Sequence, residues 1–466
     1  MVKIFTLLAI MFSSIESASA ESSMIRLDTG QTQQSYESEH HVKLKMIAQD
    51  LRLYEVLNDT VFLNIDAPPF RRQSIKPTRL ANVIPNHPVQ MRSNAAAIDL
   101  LSITPLSTDP LLPQQWNWTR DKDSVGINIA ESWQLFGTGG KNALNQDIVV
   151  AIVDGGFDYR HPDLSFNRWR NWNEVAGNGI DDDGNGYVDD ISGWNAQSET
   201  GEIESADHGT HVAGLIGARG NNNRGIAGVN WRVKIMYVSM GQALADTAST
   251  MRAYSYILKQ KELWLATNGK KGANVVAINS SFGIDAEKCS NSDFVIWNEM
   301  FNSLGEKGIL SVAATSNWNI DVDAFGDIPT SCESPFLISV TNSTRTGLKS
   351  EAGFGTTAID LAAPGEDILS TGERQFSGDP SPYSAQTGTS FSTPQVAGAV
   401  GYFHSVLAAD RLSQSPSDLA LEIKDVLLRT TTPTEDLKNY TVSGGVLNVH
   451  AASLVFKQSN EVLASR

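Results

Sequence analysis

The sequence predicts an α/β protein with three layers, in which a parallel β-sheet carries helices on both faces. The first observation is the apolar run Ile148–Val153, rich in β-branched residues, which is typical of a strand buried on both faces. The second is that similar runs recur and alternate with amphipathic stretches of helical period. The third is an ordinary composition, 41% hydrophobic and 19% charged, which suffices for a sizeable core.

The elements after this first strand follow in chain order. Further buried strands are expected at Val233–Met240, Val275–Asn279, Ile309–Ala314 and Phe336–Thr341. Between them, the pattern predicts helices at Thr210–Arg219, Ser249–Leu265 and Asp293–Lys307. A buried helix should begin near Ser390, and a last one should open at Ser415-Pro416 and run to about Arg429.

The first twenty residues have the pattern of a secretory signal peptide. Lys3 supplies the positive start, Ile4–Phe12 is apolar, and Ala18-Ser19-Ala20 is a small-x-small cleavage pattern. The alternative is a membrane anchor, but the apolar run is far shorter than the ~20 residues that span a bilayer. We therefore expect a secreted protein, extracellular or periplasmic.

Residues 21–110 differ in composition from the rest of the chain. They are polar and then proline-rich, with weak periodicity apart from a possible helix over His41–Leu57. This part is either a small domain or a partly disordered leader. The main domain is expected over residues 111–456, with a C-terminal tail at 457–466.

Charge and cysteine content narrow the classes of partner. The formal net charge of −16 argues against nucleic acid, because phosphate binding needs a basic face. Cys289 and Cys332 are the two cysteines, and an even count in an exported chain suggests one disulfide, whereas a cytosolic protein would keep two thiols. We expect a monomer that has no membrane anchor and no organic cofactor.

Three short segments carry residues that could do chemistry. Asp154 ends the first buried strand, at the carboxyl edge where α/β proteins place their sites, although an Asp before two glycines is also a common turn. His208 stands at a predicted helix start. His208 and His211 could also bind a metal, but a third ligand is not evident nearby. Ser390 at a helix start is either an N-cap or a nucleophile favoured by the positive end of the helix.

These segments, in the order Asp, His, Ser, resemble the three signatures of the subtilase family of serine peptidases. The resemblance extends from about Gln114 to Asn448. It implies a subtilisin-like fold, preceded by a small pro-segment, and a secreted endopeptidase that acts on polypeptides. In such an enzyme Ser390 attacks the peptide carbonyl, His208 transfers the proton, Asp154 holds the imidazole, and an acyl-enzyme forms. His211 does not match the catalytic position and is expected to be packed in its helix.

The resemblance implies further site residues. Asn317 matches the family's oxyanion-hole asparagine, although an Asn after a strand can also be an ordinary loop residue. Ser281, Phe282 and Gly283 match the strand on which the family lays the substrate backbone. Phe282 replaces a smaller aliphatic residue, which is expected to alter the substrate pockets.

The resemblance also concerns processing and the cysteines. Related enzymes bridge a pair placed like Cys289 and Cys332. By position, residues 21–110 are expected to act as intramolecular chaperone and inhibitor of a zymogen. That role predicts autocatalytic cleavage near Asp109–Gln115, which a Ser390→Ala variant should not show.

An acid-rich loop, residues 178–190, resembles the first half of a calcium-binding loop. The closing bidentate Glu of that pattern is missing, since Ser192 stands there. The alternative is a solvated acidic turn, but so many adjacent carboxylates favour a cation. The predicted calcium ligands are Asp181, Asp183, Asn185, the Tyr187 carbonyl and Asp189.

Four positions depart from the family pattern without removing a catalytic group: Gly155, Ser316, Phe391 and Gln395. Three rival functions stay open. The same fold could transfer the acyl group to an amine, the protein could be a catalytically weak or inactive subtilase-like binding protein, or the two histidines could hold zinc. The zinc hypothesis lacks a metal-binding acid or third His at helical spacing.

Overall fold

The computed structural model describes residues 107–241, 245–374 and 382–464, together with residue 33 and six short strands of the N-terminal part. The signal peptide expected over residues 1–20 lies outside the described residues. The strands are β1 (Ser23–Arg26), β2 (Lys43–Ala48), β3 (Leu53–Leu57), β4 (Val83–Pro85), β5 (Gln90–Met91), β6 (Asn94–Ala96), β7 (Val149–Asp154), β8 (Gly193–Asn195), β9 (Lys234–Ser239), β10 (Val275–Ser280), β11 (Phe282–Asp285), β12 (Leu310–Ala314), β13 (Asp327–Ile328), β14 (Leu337–Ser343), β15 (Leu361–Pro364), β16 (Ile368–Thr371), β17 (Tyr383–Thr387), β18 (Thr432–Pro433) and β19 (Gly445–Val446). The helices are α1 (Ile129–Phe136), α2 (Asp207–Gly217), α3 (Thr247–Ala266), α4 (Val295–Glu306), α5 (Val322–Phe325), α6 (Thr389–Val406), α7 (Pro416–Arg429) and α8 (Val449–Ala464).

The centre of the molecule is a nine-stranded sheet in the order β18-β19-β15-β14-β12-β10-β7-β9-β8. All neighbouring pairs are parallel except β18 and β19 at one edge. The buried runs predicted from the sequence form β7, β9, β10, β12 and β14, and the helices predicted between them form α2, α3 and α4. The predicted parallel α/β sheet is therefore confirmed.

Alternate residues of β7 show why both faces of this sheet are covered. Val150 and Ile152 belong to one apolar cluster, which also takes in side chains of α2 and α6. Val149, Ala151 and Val153 belong to a second cluster, which takes in side chains of α3 and α4. Because side chains alternate along a strand, a continuous β-branched run feeds both clusters. The three-layer arrangement follows from this pattern.

The N-terminal part contains a second sheet, antiparallel, in the order β2-β3-β1-β4. The helix expected over His41–Leu57 is wrong, because β2 and β3 pair antiparallel in this range, with Lys43 opposite Leu57. Lys43-Leu44-Lys45-Met46 alternates with period two, which suits a strand better than a helix. Ile47 is buried in the cluster beside α3, so this sheet lies against the main domain.

Two further contacts tie the N-terminal part to the main domain. β5 pairs antiparallel with β11, and β6 pairs antiparallel with β17.

At the other end of the chain, α8 runs to Ala464, so residues 457–464, where a tail was expected, continue a helix. In the part of the chain that the structure describes, every helix is too short or too polar to cross a membrane.

Candidate active site

Asp154 and His208 meet at the carboxyl edge of the sheet. Asp154 is the last residue of β7 and is fully buried, and His208 is the second residue of α2. The Nδ1 atom of His208 lies 3.0 and 2.9 Å from the two carboxylate oxygens. A carboxylate accepts and an imidazole N–H donates, so this contact places the proton on Nδ1.

Glycine permits the approach of α2 to the end of β7. A Cβ atom on Gly209 would lie 2.2 Å from the carbonyl oxygen of Gly156, much closer than any real contact. The absence of a side chain at Gly209 therefore allows the start of α2 to pack closely against the segment that follows β7.

Ser390 is the second residue of α6 and is fully buried. Its Oγ donates to the carbonyl oxygen of Ser281 at 3.1 Å, and Ser281 Oγ donates in return to the carbonyl of Ser390 at 2.9 Å. The ring centroid of Phe391, the next residue, lies 5.7 Å from that of His208. The start of α6 therefore stands beside both the imidazole and the strand predicted to bind substrate.

Asn317 is connected to the same helix start. It follows β12, and its Oδ1 accepts the backbone N–H of Thr389 at 2.9 Å and the Thr389 hydroxyl at 3.1 Å. That hydroxyl also lies 2.6 Å from the carbonyl of Thr315. Because the amide oxygen is engaged in this way, the N–H₂ group is the donor that Asn317 has to offer a ligand.

The three residues expected on the substrate strand differ in position. Ser281 contacts Ser390, as described, and its Oγ also accepts from the Asn279 amide at 2.9 Å. Gly283 lies in β11. Phe282 is fully buried in the cluster beside α3 and α4, so its side chain belongs to the core rather than to a substrate pocket. The larger side chain at this position fills the interior.

His211 is packed inside the helix layer. It is fully buried, its Nε2 lies 3.2 Å from the carbonyl of Ser384, and its ring centroid lies 4.4 Å from that of Phe391. Burial, aided by the nearby His208, lowers the pKa of His211 to about 3. Among the described residues, the group of side chains placed to hold a metal includes neither histidine.

Three of the residues that depart from the family pattern, Gly155, Ser316 and Gln395, make hydrogen bonds close to the candidate site. The N–H of Gly155 donates to Asp154 Oδ1 at 2.7 Å. The buried Ser316 hydroxyl accepts the backbone N–H two residues further on, at 3.1 Å. Gln395 donates to two backbone carbonyls, at 2.7 and 2.8 Å. The backbone of Gly155 and the side chains of Ser316 and Gln395 therefore make local contacts around the site.

The acid-rich loop gathers a different set of carboxylates from the predicted one. One oxygen from each of Glu174, Asp183 and Asp190 lies within 4.8 Å of the others, and all three residues are buried. Of the five predicted ligands only Asp183 is in this group. Asp181 and Asp189 instead accept backbone N–H groups of the surrounding turns.

Burial changes the protonation of this cluster. It raises the pKa of Glu174 and raises the pKa of Asp190 to about 7. The Asp190 carboxylate also accepts hydrogen bonds from Tyr256 and Gln260, which lie four residues apart on α3. Sequence reasoning missed Glu174 because it precedes the loop pattern, and the helical pair beneath the loop carries no motif.

The two cysteines are joined. Cys289 follows β11 and Cys332 follows β13, and their Cα atoms are 4.9 Å apart across a sequence separation of 43. β11 and β13 also pair antiparallel, with Ile284 opposite Ile328. The bridge therefore connects the segments that extend from two neighbouring strands beside the site.

The fold and the side chains at this edge of the sheet define an α/β protein of the subtilisin type. The family model described as the subtilase family matches residues 145–448. The chain belongs to the subtilase family.

Individual relatives agree with this assignment. The chain is 30% identical to an extracellular protease of Xanthomonas campestris over 353 residues, which are 71% of this chain and 54% of the relative. It is 28% identical to subtilisin-like protease 1 of Plasmodium berghei over 323 residues, 64% of this chain and 48% of the relative. The chain spans about half the length of these curated relatives.

A solved structure shows the same fold. Fervidolysin from Fervidobacterium pennivorans, described as a keratinolytic enzyme related to subtilisin, matches with a TM-score of 0.62 at 18% identity. The match covers 93% of this chain and 61% of that one. This likeness supports the subtilisin-like architecture.

Proposed function

We propose that this protein is a secreted serine endopeptidase that works through Asp154, His208 and Ser390. The observation that carries the proposal is the contact of His208 Nδ1 with both carboxylate oxygens of Asp154, at 3.0 and 2.9 Å. With the proton held on Nδ1, Nε2 is the basic nitrogen. The buried carboxylate then stabilises the imidazolium that forms when Nε2 takes a proton.

The reaction divides into two steps. Ser390 Oγ attacks the peptide carbonyl as its proton passes to His208, and the same proton then goes to the leaving amine. Water, activated by His208, hydrolyses the resulting ester and regenerates the hydroxyl. The position of Ser390 at the start of α6 supports this role, because the positive end of a helix favours a developing oxyanion.

Asn317 supplies the second oxyanion donor in this proposal. Its Oδ1 is fixed by Thr389, the residue before the nucleophile, so its N–H₂ group is oriented before substrate arrives. A donor that is already in place does not need to reorganise during the reaction, which is the source of its effect on the rate. Together with the Ser390 backbone N–H, it would bind the oxygen of the tetrahedral intermediate.

We also propose a structural calcium ion held by Glu174, Asp183 and Asp190. The fit rests on the donor set, since three buried carboxylates within 4.8 Å repel one another unless a cation or protons neutralise them. Calcium prefers such oxygen ligands. When bound, it would supply positive charge that holds the loop to α3, and it takes no part in the bond cleavage.

The organisation of the chain completes the proposal. Residues 1–20 would be the signal peptide, 21–110 a pro-segment and 111–456 the peptidase domain. The name of the extracellular protease from Xanthomonas campestris supports export. The binding partners would be polypeptide substrates.

Labelling with a fluorophosphonate tests the nucleophile. We expect the reagent to modify Ser390 in the wild-type protein, as shown by peptide mass mapping, and to leave both Ser390→Ala and His208→Ala unlabelled. A second assay follows the product masses of a test peptide with and without an added amine, because an acyl transferase would attach the amine. A folded, calcium-loaded protein that neither reacts with the reagent nor cleaves casein would contradict the proposal.

A further inference from the structure

A groove of about 410 Å³ lies at the edge of the main sheet opposite the candidate active site. Residues at the starts of three parallel strands line it: Val149 of β7, Lys234 of β9 and Asn274, just before β10. Asp154 ends β7, so most of the length of this strand, roughly 16 Å, separates the groove from the catalytic edge. A ligand in the groove therefore does not reach the catalytic side chains.

The groove is positively charged, although the protein as a whole is acidic. The formal net charge of the chain is −16, yet four cations line the groove: Arg168, Arg170, Lys234 and Lys270. Among the described residues of the lining, Asp147 is the one carboxylate that faces these cations, and it lies 3.2 Å from Lys141, which does not line the groove. The lining therefore concentrates positive charge, which attracts an anionic ligand.

The segment that carries the two arginines is held in place by the residues between and beside them. The N–H of Trp169 donates to a carbonyl of β9 at 2.8 Å. Asn167 and Asn171 are buried, and their side-chain amides donate to two backbone carbonyls and to two carboxylates respectively. Arg168 and Arg170 alternate with these anchors and are roughly 7 Å apart along the backbone. Their charges are therefore held in a row before a ligand arrives.

The arginine side chains are available to a ligand. Neither forms an ion pair with another residue in the described part of the chain, and their guanidinium carbons lie 5.3 and 4.6 Å from the ring centroids of Tyr159 and Trp172. Trp172 is 79% exposed, the largest fraction among the large hydrophobic side chains that the structure describes. Since it shares the groove with a second indole, Trp264, it is part of an aromatic cluster rather than a scattered surface residue.

The other side of the groove is formed by Trp264, near the end of α3, and by the turn that follows. A Cβ atom on Gly269 would lie 3.1 Å from Trp264 Nε1, so glycine lets this turn approach the indole closely. Asn173 and Asn268 are exposed and also line the groove. Because an amide group both donates and accepts hydrogen bonds, these side chains suit the hydroxyl groups of a ligand as well as its charges.

We propose that this groove is a docking site for a linear acidic polysaccharide built from uronic acid residues. The carboxylates pair with Arg168 and Arg170, because a planar guanidinium matches the geometry of a carboxylate. The flat apolar face of a sugar ring packs on Trp172, and its hydroxyls meet the amides. An acidic polypeptide needs only the cations, and a membrane surface does not enter a concave groove. The combination of cations, indoles and amides therefore favours the sugar chain.

Docking in the groove leaves the opposite edge of the sheet accessible. A protein held on an acidic polysaccharide in this way keeps the site of Asp154, His208 and Ser390 open to polypeptides. The groove shares no residue with that site. The inference therefore goes beyond the proposed peptidase activity and does not depend on it.

A comparison of four ligands tests the class of ligand. The full chain carries Ser390→Ala to prevent self-cleavage, and binding is measured by calorimetry at low salt, where charge interactions are least screened. We expect oligogalacturonate to bind. Its methyl ester keeps the sugar rings without the charges, polyglutamate keeps the charges without the rings, and phosphatidylserine vesicles present an anionic surface. Each of these three should show a Kd at least about tenfold higher. Absence of binding to oligogalacturonate, or equal or tighter binding of any of the three, would overturn the inference.

Variants of the groove test the position of the site. Arg168→Gln combined with Arg170→Gln should raise the Kd for oligogalacturonate about tenfold, since two exposed ion pairs are lost. The control, Arg429→Gln combined with Lys438→Gln, removes the same charge from residues outside the groove and should change Kd by less than about twofold.

A second pair of variants tests the aromatic contact. Trp172→Ala should raise Kd by about fivefold or more, because the indole face is lost. Trp318→Ala removes an indole that is 73% exposed and lies outside the groove, so it should leave Kd unchanged. The thermal midpoint of every variant confirms that it is folded. Equal effects of the groove variants and their controls in folded protein would refute the assigned position, and the ligand comparison above needs no groove variant.

Discussion

Replacing Asn317 separates the two roles that its amide has in the structure. The oxygen holds the N–H and hydroxyl of Thr389, at 2.9 and 3.1 Å, and the N–H₂ group is the proposed oxyanion donor. Asn317→Ala removes both roles. Asn317→Asp keeps an oxygen for Thr389 and removes the donor, so it is the matched control for damage to the start of α6.

The two roles predict different magnitudes. Loss of a hydrogen bond to Thr389 should lower the free energy of unfolding by about 1 kcal/mol. Loss of the oxyanion donor should raise the barrier by about 2.7–4 kcal/mol, or lower kcat by about 10²–10³, the range measured for the corresponding donor in subtilisin. KM should change little, because the donor acts on the transition state more than on the bound substrate.

The assay combines peptide hydrolysis with thermal unfolding of each variant. We expect kcat to fall in both variants, and the thermal midpoint to fall only in Asn317→Ala. A variant Asn317→Asp with kcat within about tenfold of wild type would refute the role as donor, since an anionic oxygen cannot stabilise an oxyanion. A kcat loss confined to Asn317→Ala would show that Asn317 acts by positioning the helix.

Two further predictions concern stability. A calcium chelator should lower the thermal midpoint of the wild type and have little effect on Asp183→Asn, which lacks one carboxylate of the cluster; an unchanged wild-type midpoint would contradict the calcium site. Burial lowers the pKa of Lys261 to about 7, which is below its pKa in the unfolded chain. Lys261 therefore lowers the free energy of unfolding most at and below pH 7, and less as the pH rises toward 10. Lys261→Met should therefore stabilise the protein most at pH 7 in urea unfolding, and a difference that does not change between pH 7 and 10 would contradict the buried charge.

The sheet and its helices could be predicted because their physical signal is local. β7 is a continuous β-branched run, and such a run is explained only by burial on both faces. The helix predicted over His41–Leu57 was wrong because this range forms two short strands that pair with each other. Pairing between strands is not visible in the periodicity of a single segment. The pairing of β5 with β11 is harder still, since a two-residue strand has no periodicity.

The candidate site was predictable to the extent that each residue has a signature on its own segment. Asp154, His208 and Ser390 stand at a strand end and at two helix starts, where backbone geometry already favours function. The spacing of acids in residues 178–190 was used to predict calcium ligands, but in the structure several of these acids stabilise the turns of the loop. Asp181 and Asp189 accept backbone N–H groups of the turns. The buried carboxylate cluster is formed instead by Glu174, Asp183 and Asp190.

The surroundings of the second histidine of the helix, His211, bear on the role proposed for the first, His208. His211 is held neutral, because burial, with the nearby His208, lowers its pKa to about 3. The ring of Phe391 lies against His211 and near His208, with centroids 4.4 and 5.7 Å away. A neutral His211 adds no charge that would oppose an imidazolium on His208, whereas Asp154 directly favours one. In the proposed mechanism, the buried and neutral His211 therefore does not compete with His208 for the proton, and Phe391 adds no charge beside either ring.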